Sequence, residues 1–283
     1  MGGAKLRFFD LHAHAQPDRF IRRYTVESLN CEMQQNNSYA VFKSHTNSTV
    51  ALVEKSKNVY GSVVLNEYQG GLSLPVIISQ FLISDRPFLI WMPTLTNYAK
   101  PKTKQAYFNN MLDMNNFVTR ISERGRLKKQ VKQIISFAGE NDLAIATGHS
   151  NKEEVYLLIE EAKRSNTRII ITHPFYHLTD FSVNELAKIA QSYCNCYFEC
   201  NILMNLIGDE TIQKDVSLIE AVGRERVFVS SDLGQKDRIS IKEGYELYSR
   251  NLAKQINTTV EYYEELFFSN PQKILFGKRR RDT

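Results

Sequence analysis

The chain has one tryptophan in 283 residues, seven prolines and only four cysteines. With no CxxC pair among them, the cysteines offer neither a disulfide framework nor a zinc knuckle. Cys194, Cys196 and Cys200 fall in one strand-like stretch, where alternation would set all three on one side with Phe198, and Cys31 stands alone. They read as buried, reduced thiols, which fits a cytoplasmic protein. No apolar run reaches the roughly 18–20 residues a membrane span needs, so no membrane partner is expected. No secretory leader pattern opens the chain. A GxGxxG turn is absent, and with it the dinucleotide-binding fingerprint. Low-complexity linkers are absent too, so residues 1–277 read as a single domain. The net charge of +5 is concentrated at the end: residues 278–283 carry four basic residues and one Asp, leaving 32 basic against 30 acidic elsewhere. A basic tail on a balanced body argues against a nucleic-acid surface.

What is present is a recurring unit of a short apolar run, a polar motif and a helical stretch. Eight runs read as strands: Leu6–His12, Tyr39–His45, Val59–Asn66, Pro87–Pro93, Leu143–His149, Arg168–His173, Cys196–Glu199 and Val227–Asp232. Near-continuous runs such as Ile169-Ile170-Ile171 suit parallel strands covered on both faces. Capping pairs Ser150/Glu153, Ser182/Glu185 and Thr258/Glu261 announce helices. Asn270-Pro271 opens a last one, and Gly223 closes the helix from about Ile212. Eight alternations over this length predict an α/β fold of the (β/α)8 TIM-barrel type. The long stretch from Thr94 to Asp142 predicts an inserted flap between strands four and five.

Of six histidines, five close strand candidates: His12 and His14, His45, His149 and His173. Asp232 closes the eighth. In a barrel these ends form one ring, where active sites are built. Neutral imidazoles with a carboxylate are a common ligand set for zinc or a similar divalent ion, with manganese or iron as alternatives.

The ordered set Asp10-x-His12-x-His14, Thr147-Gly148-His149, Ile171-Thr172-His173-Pro174 and Ser230-Ser231-Asp232 resembles the amidohydrolase superfamily. Together with Lys43-Ser44-His45, Asn66, Gly70-Gly71 and Trp91-Met92-Pro93-Thr94 it looks most like an uncharacterised bacterial branch of predicted metal-dependent hydrolases. The resemblance implies that His12, His14, His149 and His173 are ligands to one or two ions. It implies that Asp232 ligates or acts as base. The chain departs from the two-metal pattern at the end of strand four, where Trp91-Met92-Pro93-Thr94 offers no bridging Lys or Glu.

Lys43 and His45 lie two apart on strand two and face the ring. Lys43 could bridge two ions as a carbamate, bind an anionic or carbonyl group of substrate, or ion-pair with Glu199. His45 could be a further ligand or a substrate contact. His173, with Lys43 and His45, is a candidate to stabilise an oxyanion. Asn66, Thr94 and Glu199 are candidate substrate contacts, and Asp10 is expected to orient an imidazole N–H. His177 is expected on the rim, and Gly70-Gly71 in a tight turn unless it cradles a phosphate. These residues predict a metal-dependent hydrolase of a C–N or C–O bond in a small carbonyl-bearing substrate. A metal-dependent phosphoesterase or decarboxylase, or a non-catalytic metal-binding protein, are the alternatives. The outer helices are compatible with a monomer or a homo-oligomer.

Overall fold

Eight parallel strands organise the computed structural model, which describes residues 6–18, 20–96 and 119–277. They are β1 (Phe9–His14), β2 (Tyr39–Lys43), β3 (Val59–Tyr60 and Ser62–Val64, broken at Gly61), β4 (Leu89–Trp91), β5 (Ala144–Ala146), β6 (Arg168–Ile171), β7 (Cys196–Asn201) and β8 (Val227–Ser230). Each pairs with its successor in parallel. The first half of β3 pairs with β2 and the second half with β4. The ring is completed between β8 and β1, where Asp232 N donates to His12 O at 2.7 Å and His14 N donates to Leu233 O at 2.8 Å. This is the barrel that the alternation predicts. The strands end earlier than the apolar runs suggest. Asn66, His149, His173 and Asp232 follow the last ladder residue, in turns over the C-terminal mouth.

The helices follow their strands. They are α1 (Val26–Gln35), α2 (Leu74–Ile83), α3 (Lys129–Glu140), α4 (Lys152–Ser165), α5 (Val183–Ser192), α6 (Ile202–Ile207), α7 (Ile212–Val222), α8 (Ile241–Ala253), α9 (Val260–Glu264) and α10 (Asn270–Phe276). Local chemistry starts and stops them. Ser182 and Glu185 form the expected capping box on α5, and Gly223 ends α7 at φ 90°. Two caps sit one residue later than the sequence suggests. Asn151 caps α4 while Ser150 Oγ donates to Thr147 O, and Thr259 caps α9.

Inside the barrel, Leu11, Val41, Val64, Trp91, Ala146, Ile170, Tyr197 and Phe228 pack as one cluster with Phe268, Ile274 and Leu275. The C-terminal segment thus plugs the N-terminal end of the barrel. Cys196 and Cys200 pack outward with Phe198 as expected, but Cys194, which precedes the strand, and Cys31, on α1, are exposed rather than buried. All four cysteines are free. The strand-four-to-five connection contains a short hairpin, Ser122–Glu123 with Arg126–Leu127. The rest of the predicted flap, residues 97–118, and the basic tail lie outside the described residues. Among the described residues no helix is long and apolar enough to cross a membrane.

A buried acid pair sits outside the barrel. Asp215 Oδ2 accepts from Tyr248 OH at 2.8 Å and from Asn205 Nδ2 at 3.0 Å. Burial pushes its carboxyl up to about 6, and burial together with the charge of Asp215 pushes Glu210 well above the carboxylate range. An acid that titrates higher folded than unfolded loses stability as pH rises between the two values, here from about 4 to about 6. Asp215→Asn keeps the acceptor oxygen and removes the buried charge. The variant is expected to be about 3 kcal/mol more stable than wild type at pH 8 and equal to it near pH 4, read by urea unfolding at both pH values.

Candidate metal centre

The centre begins with an irregularity in β1. Asp10 pairs with Ala40 but Ala13 pairs with Phe42, so β1 carries one extra residue across this stretch. Such a bulge shifts the alternation of side chains. Ala13 and Phe42 face the helices, and His14 and Lys43 face the mouth as a pair. The bulge also corrects the role expected of Asp10. It touches no imidazole. Its Oδ1 accepts from His12 N and Ser231 N, both at 3.0 Å, and its Oδ2 accepts from Ser231 Oγ. Asp10 therefore stitches β1 to the end of β8, where the ring closes.

His12, His14 and Asp232 converge. Asp232 Oδ1 lies 3.1 Å from His12 Nε2 and 3.0 Å from His14 Nε2, and these three residues form a group able to hold a metal ion. Asp232 Oδ2 lies 3.6 Å from His173 Nε2. Both late residues reach inward through left-handed backbone, His173 at φ 46° and Asp232 at φ 51°. Non-glycine residues rarely adopt this conformation, and when they do it often marks a functional site. Burial pushes the Asp232 carboxyl up, but the His12 and His14 imidazoles outweigh it and hold it well below the carboxylate range. Burial brings His173 down to about 4 and His149 well below its ordinary value, so both rings are neutral near pH 7.

Glu199, expected against substrate, lies instead behind the histidines. It is fully buried, and Oε1 accepts from His12 Nδ1 at 2.8 Å and Ser230 Oγ at 2.5 Å. Its Oε2 accepts from His173 N at 3.0 Å. Burial alone would raise its carboxyl, but His173 and His12 bring it down to about 2. Glu199 thereby sets the His12 tautomer, turning Nε2 toward the mouth. Glu199→Gln is expected to weaken zinc binding by about 10- to 100-fold, measured by chelator competition.

Lys43 is fully buried, with Nζ 2.8 Å from His12 Nε2 and 4.3 Å from the centre of the Trp91 ring. Burial brings its ammonium down to about 8 against the opposing pull of Asp232 and Glu199. Asn66 and Thr94, also expected at substrate, prove to be ties within the mouth. Asn66 Oδ1 accepts from Thr94 N at 2.8 Å and Leu95 N at 3.0 Å, and its Nδ2 donates to His45 O at 3.0 Å and Thr94 Oγ1 at 2.9 Å. Thr94 Oγ1 in turn meets His45 Nδ1 at 2.9 Å. Together they lock the turns after β2, β3 and β4. The Gly70 and Gly71 N–H groups bond Glu67 O and Asn66 O, so they close a turn and cradle no phosphate.

His149 lies one ring away from His173, centroids 6.0 Å apart, and its Nδ1 is buried without a hydrogen-bond partner. Gly148 (φ 59°) lets its turn pass close by: a Cβ there would lie 2.3 Å from Met92 O. Among the described residues His149 joins no group of three close donors. His177 is exposed, as expected. The sequence reading missed Asp18 and Arg22, which lie after β1. Arg22 Nη2 holds Asp18 Oδ2 at 2.8 Å, and Asp18 lies 3.8 Å from His14 Nδ1.

The closed ring of eight parallel strands is the fold of several solved amidohydrolase structures, and this chain has that fold. An amidohydrolase from Burkholderia multivorans, solved with zinc bound, is 12% identical with a TM-score of 0.59 over 95% of this chain and 98% of its own. A Pseudomonas putida structure, proposed to be a 2-pyrone-4,6-dicarboxylic acid hydrolase, is 14% identical with a TM-score of 0.58, over 96% and 98%. The D-hydantoinase of a Thermus species is 10% identical with a TM-score of 0.56, over 95% and 70%. No curated protein matches the sequence. The chain belongs to the family of unknown function DUF6282, whose pattern matches residues 7–199. The match takes in β1 through Glu199 and stops short of Asp232.

Proposed function

We propose that the protein is a metal-dependent hydrolase that cleaves a C–N or C–O bond in a small carbonyl-bearing substrate: an amide, cyclic amide, ester or lactone. The observation that carries this reading is the approach of His12 Nε2 and His14 Nε2 to the same oxygen of Asp232, at 3.1 and 3.0 Å. Two imidazole lone pairs and a carboxylate meeting at one point fit a divalent ion of the zinc type. Charge supports the fit. Asp18, Glu199 and Asp232 are held below the ordinary carboxylate range, against two cations, Lys43 and Arg22. The buried Nδ1 atoms of His14 and His149, which have no hydrogen-bond partner, support it as well.

His12, His14 and Asp232 would hold the ion, with His173 beside them. A bound divalent ion supplies Lewis acidity and lowers the pKa of a water from 15.7 to about 7. Asp232, 13% exposed while the His12 side chain is fully buried, faces the open side and is placed to hold the proton and pass it to a leaving group. The Lys43 ammonium is placed to bind a carbonyl oxygen or carboxylate of substrate. His45, fixed by Thr94 through Nδ1, keeps Nε2 free of that bond. One structure of the same fold is a D-hydantoinase and another is proposed to be a 2-pyrone-4,6-dicarboxylic acid hydrolase, so cyclic amides and lactones head the substrate panel. The test is a panel of cyclic amides, lactones, amides and esters on zinc- and manganese-loaded protein. Turnover of at least one class that is lost in chelator is expected. Turnover only of phosphoesters, or carbon dioxide release without hydrolysis, would contradict the reading. Lys43→Met is expected to raise KM for carboxylate-bearing substrates about 10-fold or more, while metal content stays unchanged.

A further inference from the structure

His14 has two ring nitrogens, and the centre described above uses one of them. Its Nε2 faces Asp232, while its Nδ1 is buried with no hydrogen-bond partner, 3.8 Å from Asp18 Oδ2. The Asp18 side chain is fully buried. Arg22 Nε and Nη2 both hold its Oδ2, at 3.0 and 2.8 Å, which leaves Oδ1 buried and unpartnered. His45 stacks on His14 with ring centroids 5.0 Å apart. Its Nδ1 is engaged by the Thr94 hydroxyl at 2.9 Å, so Nε2 is its available donor. One donor atom each from His14, Asp18 and His45 lies within 4.8 Å of the other two. Buried polar atoms without partners cost free energy, and two of them, His14 Nδ1 and Asp18 Oδ1, belong to residues of this group.

We infer that His14, Asp18 and His45 form a second divalent-cation position on the β1–β2 side of the mouth. The inference rests on the reading of the ring as a metal centre, and it places the second ion away from His149. Two nitrogens and one oxygen suit zinc, cobalt or manganese better than magnesium or calcium. Arg22 already shares Asp18, so this position binds more weakly than the inner one. A neutral imidazole has one lone pair, so filling both nitrogens of His14 sends its ring proton to solvent.

The test is equilibrium dialysis of chelator-stripped, full-length protein against excess zinc, followed by elemental analysis. Wild type is expected to hold two equivalents, and Asp18→Asn and His45→Gln one each, with unchanged circular dichroism. His45 is partly exposed, so its variant decides the matter if Asp18→Asn fails to fold. A wild type that saturates at one equivalent, or a His45→Gln variant that keeps two, overturns the second position and leaves the first standing. Zero equivalents in wild type overturns the metal reading itself.

Discussion

Replacing Asp232 with asparagine is expected to lower kcat/KM about 10³-fold or more for any substrate the wild type hydrolyses, with the fold intact. Asp232 is where His12, His14 and His173 meet, at 3.1, 3.0 and 3.6 Å. Asparagine has one oxygen where the carboxylate has two, and no negative charge. It can neither take up the proton of an attacking water nor balance a cation. The backbone tolerates the change, because φ at this position is 51° and asparagine is among the residues that adopt left-handed backbone most readily. Loss of activity without loss of structure is therefore the expected signature. Steady-state kinetics with circular dichroism would read it, and a variant that kept a tenth of wild-type activity would remove Asp232 from the chemistry.

His12→Gln is expected to have the largest combined effect, on metal, activity and stability. His12 lies between Glu199 Oε1 at 2.8 Å and Lys43 Nζ at 2.8 Å, with Asp232 against the same Nε2 as the lysine. Removing the ring deletes a candidate ligand and leaves a buried glutamate and a buried lysine without the group between them. Breaking a buried charged arrangement from one side costs about 3–5 kcal/mol. The variant should bind no inner ion, lose turnover, and unfold at lower denaturant than wild type. His177→Ala, on the exposed rim, is the matched control and should change none of these.

The barrel was legible because each strand announces itself twice, as a β-branched or aromatic run and as a polar residue closing it. His12, His14 and Asp232 could be placed together before any coordinates, since one rule about strand ends brings them to one mouth. The detail around them was hidden for identifiable reasons. Asp10 shares the parity of His12 on an ideal strand, and the bulge after it breaks that parity. Glu199 lies on the inward face of β7 as expected, but whether an inward carboxylate meets substrate or the back of a histidine depends on how far up the strand it sits. Asn66 and Thr94 are polar residues at strand ends, indistinguishable in sequence from substrate contacts until their partners are seen in each other. Asp18 and Arg22 follow β1 in irregular chain, where no periodicity points. The one signal was their i, i+4 spacing and opposite charge, which in a loop predicts nothing about burial.

The most direct test is the elemental composition of wild-type protein purified without added metal, beside His12→Gln and Asp232→Asn prepared the same way. At least one equivalent of a divalent transition metal in wild type, and close to none in His12→Gln, is the predicted result. Protein that is folded, monodisperse and free of metal, and that takes up none when zinc is supplied, would contradict it.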